Sequence, residues 1–174
     1  MKTQNLLLTL LLVSLSFTSW ADKTPSKTLT IEGAVNNTMV YSVADLQKLN
    51  QTQFEGVSVY CQSGELKDQV EQLSGVPLKT LIQQAGLKVA KGKDLRKIAF
   101  IAKATDDYWV TFSYGELFNQ ATTTPVLIYY AKNGELLNES EGAIALMPMN
   151  DERMGGRQVK WLQSIEVRVL DKER

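Results

Sequence analysis

The chain has 174 residues with 19 basic and 19 acidic side chains, so no excess of positive charge points to nucleic acid. It has no histidine, which excludes histidine triads, histidine metal sites and histidine general bases built from its own residues. Its one cysteine, Cys61, leaves no internal disulfide, so packing must hold the domain together.

The first residues read as a cleavable secretory leader. Lys2 gives a positive start, Leu6 to Phe17 is almost wholly apolar, and small residues stand at Ser19 and Ala21. The apolar run is too short to span a bilayer comfortably, which takes ~20 residues. The expectation is a cut after Ala21 and one mature domain over residues 22–174 in the periplasm. The leader has no paired arginines and no lipobox, so it fits the general secretory route. Without Lys2, 18 of the 19 basic residues remain against 19 acidic ones, a net charge near −1.

Along the mature chain, Thr28 to Glu32 and Met39 to Tyr41 read as strands around an Asn36-Asn37 turn. Ser42 and Asp45 form a capping box for a helix from Val43 to Leu49. Phe54 to Cys61 alternates as a strand and ends in the loop Cys61-Gln-Ser-Gly64. Gly75-Val-Pro77 opens a helix whose apolar face is Leu78, Leu81, Ile82 and Ala85, stopped by Gly86. Leu95 to Ala102 and Tyr108 to Phe112 read as strands, and Ser113 with Glu116 caps a third helix. Pro125 to Ala131 is a buried strand followed by a hairpin turn at Asn133-Gly134. Ile144 to Met149 and Ile165 to Leu170 are the last strands. The pattern predicts an α+β domain.

The densest chemistry lies between Asn150 and Trp161, where Asp151, Glu152, Arg153, Arg157 and Lys160 surround the pair Gly155-Gly156. The glycines let backbone N–H groups approach a ligand. Arg153 and Arg157 offer planar forks for a polar ring edge or a phosphate. The competing expectation is a solvated loop held by local ion pairs. Cys61 alone reads as a small core residue more often than as a reactive one. Trp109 and Tyr130 belong to aromatic pairs on strands, and one member of each pair could line a pocket.

Several segments resemble the pterin-binding domain of the sulfite oxidase family. They are Val59-Tyr-Cys61-Gln-Ser-Gly64, the helix start Gly75-Val-Pro-Leu78, Asp106-Asp-Tyr108, Leu127 to Leu137, and Gly156-Arg-Gln-Val-Lys-Trp-Leu162. The resemblance implies a mixed, barrel-like sulfite oxidase fold. It places Cys61 where that family's enzymes bind molybdenum, and Arg157, Lys160 and Trp161 in segments that hold the phosphate-bearing pterin. The strand before Pro148 lacks the arginine those enzymes usually carry there. The cofactor-binding N-terminal region and the dimerisation domain of those enzymes are not matched.

The short exported form looks closer to the PruR-type periplasmic pterin-binding proteins. These bind free, non-molybdenum pterins and act with a membrane-bound enzyme that makes or degrades cyclic di-GMP. In a pterin site, Asp151 would accept from the 2-amino and N3–H edge, and Arg157 would donate to O4 and N5. Trp109 or Tyr130 would stack on the ring. Three functions stay open: a receptor for a neopterin-like ligand with no metal, a small molybdopterin oxidoreductase using Cys61, or a structural domain that has lost the site.

Overall fold

The computed structural model describes residues 23–89, 91–121 and 124–170, so the expected leader lies outside the described residues. The described residues form two five-stranded sheets and three short α-helices. In the first sheet the strand order is β2 (Met39–Tyr41), β1 (Leu29–Gly33), β10 (Leu162–Val169), β5 (Ile98–Ala104) and β6 (Trp109–Ser113). Only β1 and β10 run parallel there. In the second sheet, β3 (Thr52–Tyr60) pairs with β4 (Leu66–Pro77), β4 with β7 (Val126–Lys132), and β7 with both β8 (Glu135–Leu136) and β9 (Ala145–Pro148). The mixed α+β expectation holds, but both sheets are open and no closed barrel forms among the described residues.

Alternation of side chains places the cores. Ile98, Phe100 and Ala102 of β5 meet Ile165 and Val167 of β10 in the main core. Val126, Ile128 and Tyr130 of β7 face that core, while Leu127 and Tyr129 face a second one with Val57, Val59, Val70 and Met147. Strand β7 is therefore buried on both sides, which is why its sequence is a continuous apolar run. Each fully buried Leu, Ile or Phe contributes about 1.5–3 kcal/mol over an exposed position.

The helices follow local signals. Helix α1 (Val43–Gln47) and helix α3 (Tyr114–Phe118) each start with a complete capping box, Ser42 with Asp45 and Ser113 with Glu116. Helix α2 (Leu78–Ala85) buries Leu78, Leu81, Ile82 and Ala85. It ends at Gly86, whose φ of 69° places it in the left-handed region. Pro77 stands at its N-cap and not in its first turn, because Gly75 and Val76 still belong to β4. A 3₁₀ turn, Gly92–Lys97, occupies the start of the expected strand at Leu95, and β5 begins at Ile98. No helix among the described residues is long and apolar enough to cross a membrane.

Strand β4 was absent from the expected elements. Its buried residues, Val70 and the run Leu73 to Val76, do not alternate, and register shifts interrupt its pairing at Leu66/Asp68 against β3 and at Ser74/Gly75 against β7. A bulge breaks the period of two that identifies a strand.

Candidate functional site

The β3–β4 hairpin turns through Cys61 to Glu65, and a 3₁₀ turn at Met154–Gly156 packs against it. At Gly155 contact is close enough to require glycine: a Cβ there would lie 2.7 Å from the Tyr60 carbonyl oxygen, whereas one on Gly156 would meet only the movable Gln62 side chain, with Oε1 at 2.6 Å. Arg153 donates through Nη1 to the Gln62 carbonyl, tying the loop to the hairpin. Tyr108 donates its hydroxyl to the Gly156 carbonyl at 3.0 Å.

Beside these contacts lies a shallow, open cleft of about 560 Å³ lined by Gln62, Asn150, Asp151, Glu152, Arg153 and Arg157. Arg157 is its most connected side chain. Nε and Nη2 donate to the two carboxylate oxygens of Asp151 at 2.8 and 2.6 Å. Nη1 donates to Glu116 Oε1 at 3.0 Å and to the Thr111 carbonyl at 3.1 Å. The guanidinium carbon also stands 4.5 Å from the centre of the Phe112 ring, a cation–π contact. Burial pushes the Glu116 carboxyl up, but bonds from the Ser113 backbone and Arg157 outweigh it and leave its pKa lowered.

Cys61 is half-buried, with its sulfur 2.9 Å from Ser63 Oγ. That hydroxyl, donating to the thiolate, lowers the pKa of Cys61. Lys160 and Trp161 do not line the cleft. Lys160 Nζ lies 3.7 Å from Glu141, and the Trp161 indole donates to the Glu139 carbonyl at 2.8 Å. Glu141 anchors a second polar group: it accepts from the Tyr129 hydroxyl at 2.7 Å, which in turn accepts from Gln158 at 2.9 Å. Burial and the Glu141 carboxylate push the Tyr129 hydroxyl well above its ordinary pKa.

The structure thus brings Asp151, Arg153 and Arg157 to one cleft beside the Cys61 turn. Of the two aromatic candidates, Trp109 is exposed on the edge strand β6, and Tyr130 is buried in the main core with no ring face open to the cleft. Glu116 and Tyr108 carry contacts that the sequence did not assign to the site. The capping box accounts for only one of the Glu116 oxygens; the other reaches Arg157 across 41 residues. Among the described residues no group of His, Cys, Asp and Glu is placed to hold a metal ion by itself.

A cleft between a cysteine-bearing hairpin and a charged loop, on one mixed and one antiparallel sheet, belongs to a domain of the sulfite oxidase-type fold. The chain belongs to the oxidoreductase molybdopterin binding domain family, which matches residues 20–174. Among solved structures it is similar to the sulfane dehydrogenase SoxCD from Paracoccus pantotrophus, with a TM-score of 0.59 and 21% identity. That match covers 83% of this chain and 38% of the other, and at this identity it concerns the fold. No curated protein sequence matches the chain.

Proposed function

We propose that this chain is an exported periplasmic receptor for a free, non-molybdenum pterin such as neopterin, reporting to a membrane-bound enzyme of cyclic di-GMP turnover. The charge balance of the cleft carries this reading. Asp151 and Glu152 face Arg153 and Arg157, two carboxylates against two guanidiniums. Four of the five N–H donors of Arg157 are already engaged within the protein. Such a site favours an uncharged polar ring over a phosphate-bearing cofactor, and the residues do not fit molybdopterin as they stand. Asp151 keeps lone pairs to accept from the pterin amino edge. Arg157, held by Asp151, presents its remaining donor towards the ring oxygen. Tyr108, at the Gly156 carbonyl, and the exposed Trp109 are the aromatic groups available for stacking.

The leader supports the same reading. A chain threaded unfolded through the general secretory route folds empty in the periplasm and can take up a diffusible pterin there.

The accessible Cys61, with its pKa lowered by Ser63, favours a second reading, a small oxidoreductase with Cys61 as the molybdenum ligand. In that case molybdenum would supply the redox centre and Cys61 its thiolate. Metal analysis of the protein isolated from the periplasm separates the two. The receptor is expected to carry no molybdenum, and Cys61→Ser is expected to bind neopterin as the unaltered chain does. Stoichiometric molybdenum, lost in Cys61→Ser, would establish the oxidoreductase instead.

A further inference from the structure

A second cavity, of about 390 Å³, opens between α2, α3 and the start of β7. Its volume falls in the range of small-molecule sites, about 300–1,000 Å³. Its apolar surface comes from Pro77, Leu117, Phe118 and Val126. The Phe118 ring is fixed by a stack on Tyr114, with centroids 4.8 Å apart and planes at 9°. Opposite, Lys79, Thr80 and Gln83 line the cavity from α2, on one face at helical spacing.

The charges of this cavity are unequal in availability. Glu116 lines it, but one carboxylate oxygen accepts from the Ser113 backbone N–H at 2.6 Å and the other from Arg157 at 3.0 Å. The Lys79 ammonium stands 5.5 Å from the Phe118 centroid and has no hydrogen-bond acceptor among the described residues. One cation that lies over an aromatic ring and has no carboxylate partner among the described residues, beside neutral hydrogen-bonding groups, suits a ligand that is apolar at one end and singly negative at the other.

We propose that the α2–α3 cavity is a second binding site, for a compact aromatic carboxylate, with Lys79 contacting the carboxylate, and Pro77, Leu117 and the edge of Phe118 the ring. The site is coupled to the Asp151 cleft, because the two share a wall. Glu116 bonds Arg157 across it, and Gln120 Oε1 accepts from Asn150 Nδ2 at 2.9 Å. This inference does not rest on the pterin reading, since none of its ligand contacts lies in that cleft.

The test is an NMR titration of the ¹⁵N-labelled chain with benzoate, and with benzyl alcohol as the uncharged counterpart. Benzoate is expected to shift the α2 and α3 amides saturably, and to move the Arg157 side-chain signal through Glu116. Lys79 is exposed, so Lys79→Gln retains the fold. It is expected to weaken benzoate about tenfold while leaving benzyl alcohol unchanged, and Lys79→Arg to restore the affinity. Shifts that do not saturate, or equal benzoate affinity in Lys79→Gln, would overturn the proposal. A neopterin titration of Lys79→Gln without benzoate reports on the Asp151 cleft, so failure of one site is distinguishable from failure of the other.

Discussion

Arg157 joins three parts of the chain at once: its own loop through Asp151, helix α3 through Glu116, and the edge of β6 through the Thr111 carbonyl. A lysine has one ammonium and cannot reproduce a forked contact to Asp151 together with two further bonds. Arg157→Lys is expected to lower stability by about 1–2 kcal/mol, read as an earlier urea midpoint. An unchanged midpoint would show that these bonds are exchanged for water at no cost. Asp151→Ala is expected to weaken neopterin about tenfold or more, and unchanged affinity would remove Asp151 from the site. Both residues stood out in the sequence because charge and glycine cluster around them. Their mutual ion pair matches the competing expectation of local ion pairs in this loop; which charges pair was not legible, since loop geometry decides whether opposite charges face each other or a ligand. Glu116 was legible only as a cap, because its contact with Arg157 depends on the packing of β6 and α3 against the loop.

At the scale of the element, local chemistry decides most boundaries. Ser113 accepts from the Glu116 backbone N–H at 3.2 Å, and the Glu116 carboxylate accepts from the Ser113 N–H at 2.6 Å. Ser113→Ala is expected to cost about 1 kcal/mol and also to loosen Glu116 from its orientation towards Arg157. Thermal melting measures the first effect, and an undiminished melting temperature would contradict it. Both capping boxes, the Gly86 stop and the Asn133-Gly134 hairpin were readable because each depends on a few adjacent residues. In that hairpin both central residues have positive φ, 54° and 81°, as a two-residue turn requires. Strand β4 was unreadable because its identity comes from its neighbours. Gly75 shows how close they are: a Cβ there would lie 2.2 Å from the Ile128 carbonyl oxygen. Gly75→Ala is expected to destabilise the domain by about 3 kcal/mol or more, and a soluble variant with an unaltered urea midpoint would contradict the close approach of β4 to β7.

For the whole molecule, paired carboxylates set the response to acid. Asp68 is lowered chiefly by its bond from Lys132 and Glu166 chiefly by its bond from Lys103, and Glu116 is lowered despite burial. A carboxyl depressed in the folded state contributes stability that is complete above its unfolded pKa. That stability is lost as pH falls through the folded one. The urea midpoint is therefore expected to hold from neutral pH down to the ordinary carboxylate range of about 4, and to fall below it. Equal midpoints at neutral pH and at about pH 3 would show that these pairs do not stabilise the fold. The class of fold was legible from alternating apolar runs and short capped helices, and the family from ordered motifs spread over most of residues 22–174. The separation into two open sheets was not, since it depends on which edges of β7 and β10 are paired. The central claim, that this domain takes up a free pterin in the cleft between the Cys61 turn and Asp151, is tested most directly by fluorescence titration of the metal-free protein with neopterin. Saturable one-to-one binding in the micromolar range or tighter is the predicted result, and no binding at millimolar neopterin would contradict it.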